Sequence, residues 1–267
     1  MTKIDVPVAI VTGARGGIGG AVAAVLIKGG THVVAVDRVA PSESARPHES
    51  QDSAIDAGTA TSLSSDLTID LSSPQAATTV LDNTIEKLGR VDFLVSCAGG
   101  AITDQAHSLS LVTDHNDEET LFAANYSSAV AMCQVVANFM RQERRGAIVT
   151  ISSGSGGGRV APDGSLAHYL ASKAALTSFT RSLAGELGPY NVRVNAIAPG
   201  IVLSPRVAAL AESRGIGTEQ QRREIPMRRF GTPDDVADVA EFLLSDKARY
   251  VTGQCIAVNG GAGLCPC

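Results

Sequence analysis

The sequence predicts an α/β fold: a doubly wound parallel sheet in a three-layer αβα sandwich. Three observations carry this. Short apolar runs that are continuous rather than alternating recur along the chain, as strands buried on both faces require. Helix-length, Ala-rich runs separate them, as parallel pairing demands. A Gly-rich turn joins the first apolar run directly to the first helix. With 267 residues, 44% hydrophobic and 18% charged, the chain can bury a sizeable core and falls outside disordered compositions. No linker-like break divides it, so one domain over residues 1–267 is expected.

Taken in order, Pro7–Thr12 reads as a buried strand and Gly17–Lys28 as an amphipathic helix. His32–Val36 reads as a second strand. Ala40–Thr61 is polar and non-periodic, a surface excursion. A helix is predicted over Thr78–Leu88, a strand over Val91–Ser96 and a long helix over Glu118–Met140. Ala147–Ile151 is a strand, Leu166–Leu187 a helix and Val192–Ile197 a strand. Leu203–Phe230 mixes Pro205, Pro226, Gly215 and Gly217 with short helical pieces; it is an irregular segment on the substrate side, either a mobile lid or an ordinary connection. Val236–Leu244 is helical and Cys255–Val258 is the last strand.

Composition excludes several classes. The net charge of −5, 27 acids against 22 bases, leaves no basic footprint for nucleic acid. No uninterrupted apolar run has the roughly 18–20 residues that span a bilayer, and the N-terminus lacks a secretory core, so no membrane partner is expected. Five cysteines, an odd count in a long chain, point to reduced thiols and a cytoplasmic location. Glycine, at 27 residues, exceeds its usual share of about 7%.

Part of that glycine sits in Thr12-Gly13-Ala14-Arg15-Gly16-Gly17-Ile18-Gly19, between a predicted strand and helix. Small residues there let the backbone turn tightly and let a pyrophosphate approach the free N–H groups and positive dipole of a helix start. Asp37 closes the second strand, where a carboxylate can accept from both ribose hydroxyls of an adenosine and would repel a 2′-phosphate; it could equally cap a turn. Arg15 and Arg38 nearby could instead face a 2′-phosphate. NAD is therefore expected over NADP.

Tyr169 and Lys173 lie four apart on one predicted helix face. A free phenol, with a pKa near 10, is too weakly acidic to serve as a base at neutral pH. A lysine ammonium one turn away, with a positive nicotinamide ring nearby, would favour the phenolate, giving a general acid/base for an alcohol–ketone pair.

Together these motifs resemble the classical short-chain dehydrogenase/reductase family over nearly the full length. The resemblance rests on Thr12–Gly19, Asp66-Leu67 after a third strand, Ala98-Gly99 after the fourth, Asn125 in the long helix and Ile151-Ser152-Ser153. It continues through Tyr169, Lys173, Asn195–Gly200, Ile225–Val236 and Val251–Gly261. It implies a Rossmann fold and hydride transfer between a nicotinamide cofactor and a secondary alcohol or ketone. In the implied roles Tyr169 is the acid/base, Lys173 lowers its pKa and holds the nicotinamide ribose, Ser153 orients the substrate oxygen, and Asn125 holds a relay water. Gly13, Arg15, Gly17, Ile18, Gly19, Asp37, Arg38, Asp66, Leu67, Ala98, Gly99, Pro199, Gly200, Val202 and Ser204 would contact the cofactor with Tyr169 and Lys173. Gly100, Ser153, Ser155, Val160, Tyr169, Ile201, Leu203, Val207 and Met227 would face the substrate. The implied assembly is a homotetramer through the long helices and last strand.

The sequence departs from the family pattern in places. Ser96-Cys97 replaces a usual pair of asparagines and supports less hydrogen bonding. Ser153 to Tyr169 spans sixteen positions, lengthened by the run Gly154–Arg159, and Ser152 is the alternative catalytic serine. Gly16 stands where NADP-preferring relatives often carry a base. Ser204 replaces a common Thr and keeps the hydroxyl. Outside these motifs, Asp114–Glu119 reads as an acid-rich helix start rather than a metal site. Cys265-Pro266-Cys267 reads as a frayed tail rather than a metal or disulfide site, and no metal is expected. His168 either touches substrate or merely opens the helix. The leading expectation is an NAD-dependent dehydrogenase of a small, fairly apolar or cyclic alcohol or diol. The alternatives are an NADPH-dependent 3-oxoacyl-carrier ketoreductase and a non-catalytic cofactor-binding regulator.

Overall fold

The computed structural model describes residues 4–40, 64–73, 75–104, 107–154, 165–212 and 214–262. Seven parallel strands form one sheet in the order β3-β2-β1-β4-β5-β6-β7. They are β1 (Val8–Thr12), β2 (His32–Asp37), β3 (Ser64–Thr68), β4 (Phe93–Ser96), β5 (Gly146–Ile151), β6 (Val192–Pro199) and β7 (Cys255–Val258). The helices are α1 (Gly17–Lys28), α2 (Ala76–Leu88), α3 (His115–Glu143), α4 (Ala167–Leu187), α5 (Pro205–Ala209), α6 (Glu219–Glu224) and α7 (Pro233–Leu244).

The continuous apolar strands split by alternation into two cores. Ala9, Val11 and Val149 face α1 and α7, meeting Val22, Leu26, Val236 and Leu243. Val8, Ile10, Leu94 and Ile148 face the other way, meeting Val80 of α2, Met132 and Met140 of α3 and Leu187 of α4. Burial on both faces is why these strands carry no polar alternation. The order reverses at β1, whose neighbours are β2 and β4, and crevices outside the carboxyl ends of such strands are where ligands bind.

Three readings are corrected. Asp66 and Leu67 lie inside β3 rather than after it. This strand escapes sequence analysis because Ser-Ser-Asp-Leu-Thr is an edge segment with one hydrogen-bonded neighbour, alternating between exposed and half-buried residues. It therefore needs no apolar run. The long helix starts three residues earlier than predicted, capped by Asp114, whose carboxylate accepts from the Asp117 N–H at 2.8 Å. At 29 residues, with a mean hydropathy of 1.2 in its most apolar stretch, α3 reaches membrane-spanning length and apolarity, which uninterrupted apolar runs did not suggest. In the fold its Met132, Val136 and Met140 are wholly buried against the sheet. Ser155, Val160, most of the Gly154–Arg159 run, nearly all of the Ala40–Thr61 excursion and Cys265-Pro266-Cys267 lie outside the described residues.

Candidate active site

The site is assembled at the carboxyl ends of β1, β4, β5 and β6. Gly13 turns the chain after β1 with φ +66°, and a Cβ there would come within 2.9 Å of the Ala98 nitrogen. The Thr12 hydroxyl accepts from the Ala98 N–H at 3.2 Å, so the loops after β1 and β4 are held together. A side chain on Gly19 would run into the Gly13 carbonyl oxygen, and one on Gly17 into Ser204. Helix α1 begins behind Gly16 with no side-chain cap, which leaves the N–H groups of its first turn, at Gly17, Ile18 and Gly19, without intrahelical partners.

Asp37 ends β2, and its two carboxylate oxygens accept from the N–H groups of Arg15 (2.9 Å) and Val39 (3.2 Å). Arg15 sends its guanidinium to Asp66. Arg38 is exposed, and its charge acts on Asp70. Leu67, next to Asp66 in β3, points to the opposite face and packs with the core under α2.

Tyr169 and Lys173 stand one turn apart near the start of α4. Lys173 is 4% exposed, lies 6.0 Å from the centre of the Tyr169 ring and donates to the Ile151 carbonyl at 2.9 Å. The two neighbouring serines have separated. Ser153 hydrogen-bonds the Tyr169 side chain. Ser152 is buried and donates its hydroxyl to the Lys173 carbonyl (3.0 Å), 2.7 Å from the Thr177 hydroxyl. The geometry thus selects Ser153 over Ser152 as the serine facing the tyrosine.

Burial pushes the Tyr169 phenol up, and the Ser153 hydrogen bond pulls it down. Burial also lowers Lys173, to about 8. Desolvation disfavours the charged form of both groups, and the Lys173 ammonium is turned to a backbone carbonyl rather than to the phenol oxygen.

Asn125 is fully buried in a π turn, Ala123–Ser127, within α3, a distortion often found at functional sites. Its amide nitrogen donates to the carbonyls of Gly100 (2.9 Å) and Leu121 (3.0 Å), and its amide oxygen accepts from the Gly100 N–H (2.7 Å). Both amide donors are occupied. A relay water would have to be held by an oxygen acceptor.

Among the described residues the buried Ser96 hydroxyl has no hydrogen-bond partner. Burial pushes the Cys97 thiol up to about 12 against the pull of Lys173.

On the far side, Pro199 ends β6, the Gly200 N–H donates to the Val258 carbonyl (2.9 Å), and Val202 bridges to Gly231. Ser204 caps α5 by accepting from the Val207 N–H at 3.3 Å, which leaves its own proton to donate. Ile201 and Val207 are half-buried, Leu203 is exposed and Met227 is 61% exposed. His168 turns to Glu118 of α3 at 3.9 Å, a contact between helices. Among the described residues no cluster of potential ligands could hold a metal ion.

Sequence reasoning missed Arg214. It donates to the carbonyls of Ala101 (2.8 Å) and Thr103 (3.2 Å) and straps the segment after β6 to the loop after β4. No local pattern announces such a contact between residues more than a hundred positions apart.

A doubly wound sheet with a glycine-lined helix start, an acid at the end of β2 and a Ser–Tyr–Lys cluster at the ends of β5 and α4 defines an oxidoreductase class. The comparisons make this specific. A family model described as enoyl-(acyl carrier protein) reductase matches residues 13–263. Cyclohexanol dehydrogenase of Rhodococcus sp. is 34% identical over 269 residues, covering 95% of each chain. The 3-oxoacyl-acyl-carrier-protein reductase of Thermotoga maritima is 37% identical over 182 residues, 68% of this chain and 70% of that one. The structure of ElxO with NADP bound superposes with a TM-score of 0.84 at 25% identity, covering 96% and 98% of the two chains. The chain belongs to the short-chain dehydrogenase/reductase family.

Proposed function

We propose that the protein is a dehydrogenase that interconverts a secondary alcohol and a ketone, with NAD preferred over NADP. The observation that carries this is the Ser153–Tyr169–Lys173 cluster beside the glycine loop. The residues present fit a nicotinamide dinucleotide. The uncapped start of α1 offers N–H groups to a pyrophosphate, and Gly17 and Gly19 leave no room for side chains against Ser204 and the Gly13 carbonyl, so the loop and helix start pack closely. Gly13, Gly17, Ile18 and Gly19 would hold the pyrophosphate, and Asp37 the ribose hydroxyls. Asp66, Leu67, Ala98 and Gly99 would line the adenosine side, and Pro199, Gly200, Val202 and Ser204 the nicotinamide side. When bound, the cofactor supplies or accepts the hydride.

The chain's own work is proton handling and positioning. Tyr169 donates its phenol proton to a substrate oxygen on reduction, and on oxidation its phenolate form takes the proton from the alcohol. Ser153 steadies the same oxygen with its hydroxyl. Buried Lys173 with a pKa near 8 can carry a proton between Tyr169 and solvent at neutral pH. Asn125 holds the Gly100 backbone, and with it the loop after β4, in place.

Asp37 supports NAD, because its carboxylate would face a 2′-phosphate. Arg15 is already engaged by Asp66. A second reading, an NADPH-dependent 3-oxoacyl ketoreductase, is favoured by the Thermotoga relative and by the NADP-bound neighbour. We also propose one domain, and a homotetramer through the small-residue faces at Ala123-Ala124 and Ala174-Ala175, to be checked by light scattering. The central test is a panel of alcohols, ketones and acyl thioesters with each cofactor, followed at the nicotinamide absorbance. We expect turnover with neutral or simple ketones and NADH, reduced at least about 100-fold in Tyr169→Phe while NADH still binds. Faster turnover of acyl thioesters with NADPH would favour the second reading, and full activity of Tyr169→Phe would overturn both.

A further inference from the structure

The arginines of the segment after β6 are nearly all engaged by the protein itself. Arg214 holds the Ala101 and Thr103 carbonyls. Arg222 and Arg223 pair with Glu219 at 2.7 and 3.1 Å, and Arg229 pairs with Asp235 at 2.6 Å. Arg206 differs. Among the described residues it has no hydrogen-bond or ion-pair partner, yet it does not stand away from the protein. Two of its guanidinium nitrogens lie 3.6 and 3.8 Å from where a side chain on Gly100 would begin.

Arg206 is itself exposed, and the segment that carries it is anchored on both sides. Arg206 sits in the first turn of α5, capped by Ser204, which itself packs on Gly17 of the phosphate loop. The Arg214 strap ties the same segment to the loop that carries Gly100. The N–H and carbonyl of Gly100 are both taken by Asn125, and its φ of +143° suits glycine. With no side chain at 100, the guanidinium can lie along the backbone. The result is a cation, unpaired among the described residues, beyond the carboxyl end of β4, next to the strand whose end leads into Ser153. A guanidinium presents a planar fork of donors that matches a carboxylate.

We propose that Arg206 is a specificity-determining residue that receives a carboxylate on the substrate, so that the natural pair is a hydroxy acid and a keto acid rather than a neutral alcohol and ketone. This rests on the dehydrogenase reading above. The same oxyanion chemistry has a second source, a phosphate of the cofactor, since Ser204 two residues earlier touches the phosphate loop.

The test uses the full-length enzyme with NADH and three keto acids of increasing length, pyruvate, acetoacetate and levulinate, each against its methyl ester. Wild type should prefer at least one acid over its ester in kcat/KM. Arg206→Gln should lower that acid-to-ester ratio about 10- to 100-fold, the scale of a lost hydrogen bond to a charged group, and Arg206→Lys should retain part of it. Equal use of acid and ester by wild type would overturn the proposal. So would a ratio unchanged in Arg206→Gln, and a variant that loses NADH affinity while keeping the ratio would assign the charge to the cofactor instead. If neither acids nor esters turn over, the dehydrogenase reading fails for these compounds. The anion site is then judged by binding: a keto acid that changes the fluorescence of bound NADH in wild type but not in Arg206→Gln upholds it, and no such difference sinks it.

Discussion

At the end of β1 the chain is packed so closely that a methyl group on Gly19 would meet the Gly13 carbonyl oxygen and one on Gly17 would meet Ser204. Across the cleft, among the described residues, a methyl group on Gly215 would meet nothing within 4 Å and one on Gly217 only the Leu203 Cδ2 atom at 3.7 Å. Both regions are glycine-rich, but for different reasons. On the phosphate side glycine is demanded by backbone lying against backbone. On the side after β6 it serves only the turn, and the neighbours are exposed or half-buried apolar and basic side chains. The phosphate side therefore has little room to vary, while the opposite rim can change its residues, and with them the substrate, at little structural cost.

The contrast can be broken most directly by giving each region a methyl group. Gly19→Ala should destabilise the fold by about 1–3 kcal/mol, the usual range for overpacking, and should weaken NADH binding with it. Gly217→Ala, whose φ is +84°, should cost only about 1 kcal/mol of local backbone strain and leave NADH affinity alone. Thermal unfolding and a cofactor titration read both, and equal losses of affinity would remove the distinction.

A smaller effect sharpens the phosphate side. Asp37→Ser should shift the NADP-to-NAD ratio of kcat/KM by about tenfold or more, equivalent to at least about 1.4 kcal/mol, because it removes the charge that opposes a 2′-phosphate. An unchanged ratio would show that Asp37 only anchors the backbone of Arg15 and Val39.

The smallest effect concerns the interior beneath both regions. Burial raises the thiols of Cys97 and Cys133 to about 12. Unfolded thiols ionise near pH 8.5, so above that value the unfolded chain has lost protons that the folded one keeps, and stability falls as pH rises. Lys173, lowered to about 8 from 10.5, acts in the opposite sense: between those values the unfolded chain holds the extra proton and stability rises. Two thiols against one amine should give a net fall between about pH 9 and 12. The urea midpoint of Cys133→Ala should decline less steeply with pH over that window than that of wild type, and identical slopes would refute the assignment.

Much of the architecture was legible in the residues. Gly17–Lys28 and Cys255–Val258 form with the predicted limits, because a two-sided apolar run or an Ala-rich stripe states its own burial. The Thr12–Gly19 motif likewise announced a strand–turn–helix start. β3 was not legible, since its five residues owe their conformation to pairing with β2. The resemblance had placed the substrate-facing role on Ser153 with Ser152 as the alternative, and the two differ only in the direction they leave β5.

By itself the sequence determined the alternation of the apolar strands with helices, the glycine turn and the spacing of Tyr169 and Lys173, all set by periodicity or by residues within a few positions of each other. The tertiary structure alone decided that Arg15 is spent on Asp66, that Tyr169 is buried beside Ser153, and that Arg206, without a partner among the described residues, lies over Gly100. Those outcomes depend on loops brought together from distant parts of the chain, where desolvation and charge are set by neighbours that no local pattern encodes.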